Sequence, residues 1–123
     1  RRAVTLGVKL REVTTDHGAL FLVNDRLDIA LATGADGLHL GVTDLHPADA
    51  RRIAPTGFII GYSPDDDSDV AGATAASYYG IGPVFGTASK ADAGQALGLD
   101  VFWPIATQLA DTWRTAAITA VAS

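Results

Sequence analysis

Residues 34–47 read Gly34-Ala35-Asp36-Gly37-Leu38-His39-Leu40-Gly41-Val42-Thr43-Asp44-Leu45-His46-Pro47. Gly34 suits the left-handed position that ends a helix, and Gly37-Leu38-His39-Leu40-Gly41 is a short apolar run bounded by small residues, which reads as a strand. Pro47 suits the first position of a new helix, which Pro55 then stops. Helix end, strand and helix start thus fall within 14 residues, the punctuation of a βα repeat. The same rhythm extends both ways. Upstream, Ala19-Leu20-Phe21-Leu22-Val23 reads as a strand ending at Asn24-Asp25, and residues 26–32 read as a helix that Asn24 or Asp25 could cap. Downstream, Phe58-Ile59-Ile60-Gly61-Tyr62-Ser63 is a third strand and residues 78–85 a fourth, with a weak helix expected over 65–76 behind the acidic start Asp65-Asp66-Asp67. The runs look continuously apolar, as in parallel sheets covered on both faces, so a barrel or a doubly wound sheet follows. Weaker strands are expected at 101–106 and 118–122, with a helix over 108–115 between them. The stretch from Phe85 to Leu99, rich in Gly, Ala and Ser, is long enough to be a functional lid.

Composition narrows the function classes. The 123 residues, 48% hydrophobic and 19% charged, suit one domain with a shared core and argue against disorder. A net charge of −5, with nine Lys and Arg scattered along the chain, offers no basic stripe for a nucleic-acid backbone. No apolar run approaches the roughly 20 residues of a membrane span, so a soluble cytoplasmic protein is expected. Cysteine is absent, which removes disulfides and thiolate chemistry. Methionine is absent too, and the natural product is expected to carry at least one residue before Arg1.

The motifs Leu22-Val23-Asn24-Asp25-Arg26, Gly34 to Gly41 followed by Asp44, Ile60-Gly61-Tyr62-Ser63, and Gly82-Pro83-Val84-Phe85-Gly86-Thr87-Ala88-Ser89-Lys90 resemble, in order and spacing, those of the thiamine-phosphate synthase family. The resemblance covers about two thirds of the chain. It implies a TIM (β/α)8 barrel of which this sequence carries part, since such barrels take about 200 residues or more. It also implies coupling of hydroxymethylpyrimidine pyrophosphate with thiazole phosphate, giving thiamine phosphate and pyrophosphate, with Mg2+ as cofactor. Asp25 and Asp44 are the implied metal ligands, a role that fits an ion bound by one or two carboxylates plus substrate phosphates. Their structural alternative is a helix cap for Asp25 and a turn for Asp44.

Thr87, Ser89 and Lys90 offer hydroxyls and an ammonium to pyrophosphate, the alternative being a solvated linker. Ser63 resembles a serine near the pyrimidine and pyrophosphate. Asn24 joins the substrate-binding set, as does Ser123, which closes a run similar to the family's last strand. The catalytic residues implied are Lys90, Ser63 and Arg11. The assignment of Arg11 depends on likening Val4-Thr5-Leu6-Gly7-Val8-Lys9-Leu10-Arg11-Glu12 to the family's second strand, which ends Gln-Leu-Arg-Glu-Lys; Lys9 and Val13 depart from it. Only seven residues separate Glu12 from Leu20, too few for a parallel crossover. Residues 2–13 are therefore either a helix or a strand followed by a missing segment, and the resemblance favours the second.

His39 is expected to be a hydrogen-bonded core histidine, His17 and His46 loop residues, Asp65-Asp66-Asp67 a solvated helix start, and Trp103 and Trp113 core or interface fillers. The family's Gly-Gly-Ile motif is absent after Ile105-Ala106, and Val42 stands where a Gln is usual. These departures keep a non-catalytic, ligand-binding relative as an alternative. A thiazole tautomerase is the other, disfavoured by the stretch from Thr87 to Lys90. Homo-oligomerisation stays open.

Overall fold

Five parallel strands, β1 (Leu22–Asn24), β2 (Gly37–Gly41), β3 (Ile59–Ser63), β4 (Tyr78–Gly80) and β5 (Ala116–Ala117), lie side by side in the order in which the chain makes them. The computed structural model describes residues 1–71, 73–86, 96–112 and 116–117. A doubly wound sheet reverses its strand order at a switch point; this one does not, and a sequential parallel sheet is an arc of a (β/α) barrel. The register pairs Leu38 with Ile60 and Leu40 with Tyr62. These four side chains bury against Leu27 and Ala30 of α2 (Leu27–Thr33) and Ala50 of α3 (Pro47–Ile53). A second cluster joins Ile81 and Val84 to Phe102, Ile105 and Leu109 of α4 (Gly98–Thr112).

Local signals place the helices where the pattern puts them in the middle of the chain. Gly34 closes α2 in the left-handed region, at φ 66°, where a residue without Cβ is unstrained. Pro47 opens α3, and the His46 ring accepts a hydrogen bond from the Ala48 N–H. The helix expected over 65–76 is instead a pair of 3-10 turns, Asp67–Val70 and Ala73–Ala75. Asp66 and Asp69 form a reciprocal capping box there, and such side-chain acceptors compete with a regular helical ladder. The acidic run is solvent-exposed, as expected, but it starts a capped 3-10 turn and not a regular helix.

Two strand expectations are corrected. Residues Arg2–Asp16 form one continuous helix, α1, so Glu12 and Val13 are joined within it and no strand ends at Glu12. This is the alternative that the short link to Leu20 allowed. Gly7 lets α1 close against Thr33 of α2, where a Cβ would collide with the threonine methyl. The strand expected at 101–106 is part of α4, whose Phe102, Ile105 and Leu109 form a buried stripe at helical spacing. The place after Ile105-Ala106 is therefore mid-helix and not the end of a strand. Trp103 on that helix is exposed, so of the two readings, core or interface filler, the core one is excluded. Strand β5 is described only at Ala116–Ala117; the expectations at 118–122, the helix end at 113–115 and Trp113 lie outside the described residues.

Arg11 projects from α1 to ion-pair with Asp36, whose carboxylate also accepts the Phe21 N–H at 2.8 Å. Asp36 immediately precedes β2, so this bracket sits at the N-terminal edge of the sheet. The Phe21 N–H and then the Arg11 guanidinium hold the Asp36 carboxyl below its ordinary value. A depressed folded-state value contributes stability above the unfolded one and loses it as pH falls through the folded one. Asp36→Asn should lower the unfolding free energy at pH 7 by about 1 kcal/mol, as read by urea denaturation, with the difference shrinking as the wild-type carboxyl is protonated.

Candidate active site

The C-terminal ends of parallel strands share one rim, and there the chain brings together Asn24, Asp25, His39, Asp44 and Ser63. Asn24 ends β1 and pairs in register with His39. Asp25 follows with φ 63°, a left-handed turn that Asp tolerates better than most residues. Its N–H donates to the His39 carbonyl at 2.9 Å, extending the β1–β2 ladder by one step before the chain reverses into α2. The cap residue of α2 is Arg26, with no side-chain cap bond, so neither Asn24 nor Asp25 caps the helix. Beyond β2, the Asp44 carboxylate accepts the Gly41 N–H at 2.7 Å while its own N–H donates to the Gly41 carbonyl. Asp44 therefore does hold a turn, and that turn brings it to Asp25.

Desolvation, the Asp44 charge and a hydrogen bond shared with Asp44 all raise the carboxyl of the exposed Asp25 above its ordinary value, while His39 pulls the other way. Two carboxyl groups close enough to share a hydrogen bond are a place where a cation is favoured. Among the described residues no third His, Cys, Asp or Glu completes a protein-only metal cage. The donor set therefore fits a hard cation such as Mg2+, which keeps water and takes substrate oxygens beside one or two carboxylates.

Ser63 ends β3 opposite Gly41, and its hydroxyl lies 2.7 Å from His39 Nε2. The other ring nitrogen, Nδ1, lies 2.8 Å from the Tyr78 hydroxyl on β4. His39 is thus hydrogen-bonded, as expected, but it faces away from the helices, on the same side as Ser63. Burial lowers its pKa, against the opposing pull of Asp25 and Asp44. No sequence signal marks Tyr78, whose contact with His39 depends on pairing across two strands. Arg11 does not reach this rim: its ion pair with Asp36 sets it at the opposite end of the strands, which removes the basis of its catalytic assignment. Thr87, Ser89, Lys90 and Ser123 lie outside the described residues. So does most of the lid stretch, whose last described part is tied to β4's extension through Leu97 N–H to Pro83 O and Gly98 N–H to Val84 O. An open groove lined by Arg1, Arg2, Thr5, Leu6 and Lys9 runs along α1 and contains none of the rim residues.

A family model described as thiamine monophosphate synthase matches residues 1–122. The chain belongs to that family. The thiamine-phosphate synthase of Methanoculleus marisnigri is 52% identical over 101 residues, covering 80% of this chain and 48% of the relative. That of Moorella thermoacetica is 48% identical over 102 residues, covering 81% of this chain and 49% of the relative. A solved structure, the thiamine phosphate pyrophosphorylase from Pyrococcus furiosus, superposes with a TM-score of 0.76 at 34% identity, covering all of this chain and 56% of the other. The chain thus spans about half the length of these thiamine monophosphate synthase relatives. The superposition agrees with the sequential sheet: the fold is parallel α/β, part of a barrel.

A raised folded-state carboxyl value makes ionised Asp25 a liability that appears as pH rises from the unfolded value through the folded one. Asp25→Asn keeps the shape and the tolerance for a left-handed turn. It should leave the metal-free protein as stable as wild type or slightly more so at pH 7, with no difference once pH falls below the unfolded carboxyl value. Thermal melts at both pH values in the presence of a chelator check this.

Proposed function

We propose that this chain carries the metal- and pyrophosphate-binding part of a thiamine-phosphate synthase, which transfers the pyrimidinylmethyl group from hydroxymethylpyrimidine pyrophosphate to the nitrogen of thiazole phosphate and releases pyrophosphate. The observation that carries the proposal is the meeting of Asp25 and Asp44 at adjacent strand ends, with the Ser63 hydroxyl on the next strand. The names of the relatives support the same reading.

The chemistry asks the protein to align two substrates and to stabilise charge. As the C–O bond to pyrophosphate breaks, negative charge grows on the leaving group and positive charge on the pyrimidine methylene. Groups that bind the growing negative charge more strongly than the ground state accelerate the step. Bound Mg2+ supplies charge neutralisation of the pyrophosphate oxygens. Asp25 and Asp44 would hold it, with Asp44 kept in place by its bond to the Gly41 N–H. Ser63 would donate its hydroxyl hydrogen to the pyrophosphate end of the substrate, and Asn24 would add an amide beside it. We assign Thr87, Ser89 and Lys90 to the same pyrophosphate, with Lys90 as the cationic partner of the leaving group, and Ser123 to the substrate set. They follow, in sequence, the segment that continues from β4 at this rim. Small phosphorylated substrates and the absence, among the described residues, of any helix long and apolar enough to cross a membrane fit a cytoplasmic enzyme.

The test is pyrophosphate release by the intact protein given both substrates and Mg2+. Asp25→Asn, Asp44→Asn and Lys90→Ala should each lower kcat/KM by about a hundredfold or more. Arg11→Ala should leave it within about twofold, as expected of a group that binds nothing that reacts. Undiminished turnover in an Asp25→Asn, Asp44→Asn double variant would overturn the proposal.

A further inference from the structure

Three strands converge on one imidazole. His39 on β2 lies between the Tyr78 hydroxyl of β4, 2.8 Å from Nδ1, and the Ser63 hydroxyl of β3, 2.7 Å from Nε2. The rings of His39 and Tyr78 stand 5.4 Å apart and tilted, so the contact is made through the polar edge and not by stacking. The space for it is made by glycines. A Cβ at Gly61 would run into the Tyr78 ring carbon and hydroxyl and into His39 Nδ1, and a Cβ at Gly80 would stand 3.1 Å from Ser63 Oγ and 3.4 Å from His39 Cε1. Tyr78, Gly61 and His39 are cross-strand neighbours by register, so the ladder itself holds the three polar groups in line.

The order of hydrogen bonds along this line decides what Ser63 can do. A neutral imidazole has one N–H and one acceptor nitrogen, and the partner of one sets the role of the other. A phenol is a good donor and a poor acceptor, because its oxygen lone pair is delocalised into the ring. Tyr78 therefore donates to Nδ1, the ring proton sits on Nε2, and Nε2–H donates to a lone pair of Ser63 Oγ. Among the described residues, the hydroxyl hydrogen of Ser63 then has no acceptor to serve other than the ring nitrogen that no longer takes it, and it can go to an anionic oxygen. With the other tautomer, Ser63 would spend its hydrogen on Nε2 and present only lone pairs to an anion.

We propose that Tyr78 and His39 are positioning residues: they fix the Nε2–H form of His39 and thereby commit Ser63 to act as a hydrogen-bond donor to its substrate. That the recipient is the pyrophosphate end of the substrate rests on the function proposed above; the tautomer and the direction of the chain of hydrogen bonds do not. Neither Tyr78 nor His39 need touch the reacting atoms.

The experiment has two arms. Long-range 1H–15N correlation spectra of the intact, 15N-labelled protein, with His39 assigned by difference against His39→Gln, report the tautomer directly. The expected result is a protonated Nε2 and an unprotonated Nδ1, retained in Ser63→Ala and lost to a mixture in Tyr78→Phe. A protonated Nδ1 in the wild type, or an unchanged tautomer in Tyr78→Phe, overturns the proposal, and neither reading requires turnover. In the kinetic arm, His39→Asn should lower kcat about tenfold with little change in KM, because an oriented donor matters most as charge develops. His39→Gln, whose amide N–H reaches the place of Nε2, should recover to within about threefold of wild type. In a Ser63→Ala background the His39→Asn loss should shrink to under about twofold, the coupling expected of residues acting through one another. An undiminished tenfold loss in that background also overturns it. An inactive wild type with the expected tautomer would sink the synthase reading alone.

Discussion

The two-residue alternation of strands β2 and β3 ties the core to the site. Leu38, Leu40 and Ile60 are fully buried and Tyr62 nearly so. Burial of each aliphatic side chain is worth roughly 1.5–3 kcal/mol, so this face of the ladder cannot be turned outward without losing most of the core under α2 and α3. Because successive side chains point to opposite faces, the same burial dictates that His39, Gly61 and Ser63 face the other way. A slip of one residue would exchange the two sets. The polar line from Tyr78 to Ser63 is therefore held in place by apolar packing on the far side of the sheet.

Parallel strands add a second constraint, because they separate the two ends of the sheet chemically. At the N-terminal edge Asp36 has an arginine and a backbone N–H, and its carboxyl is held low. At the C-terminal rim Asp25 has another carboxyl beside it, and its own is pushed up. One aspartate is satisfied by the fold and fastens α1 to the sheet; the other is left with a charge that the fold does not match. That contrast distinguishes a structural carboxylate from one disposed to bind a cation, and no single position in the sequence reveals it.

Much of the central fold was legible. Gly34, Pro47 and the runs around Leu38 and Ile60 act through local geometry, and their reading survives in α2, α3, β2 and β3. Asp25 and Asp44 were legible through the resemblance, and their meeting follows from strands that end side by side. The strand reading of 4–12 failed because a local likeness around Leu10-Arg11-Glu12 was allowed to outweigh the length of the link to Leu20, which demands a helix. Residues 101–106 failed because a short apolar run fits either period, and only the distant partners Ile81 and Val84 decide it. The four strands read as continuous apolar runs, yet within β2 Gly37, His39 and Gly41 alternate with Leu38 and Leu40. Glycine hides such alternation, since it is neither clearly polar nor apolar. Tyr78 could not be found without the register, for its partner lies 39 residues away.

Under the proposed function, Asp25 and Asp44 together hold one divalent ion when pyrophosphate is present. Anomalous diffraction from crystals of the intact protein grown with Mn2+ and pyrophosphate tests it most directly. The account predicts one manganese at the C-terminal rim, about 2.2 Å from an oxygen of each carboxylate and completed by pyrophosphate oxygens and water. Manganese bound elsewhere, for example at the acidic turn formed by Asp66 and Asp69, with both rim carboxylates unligated, would contradict it.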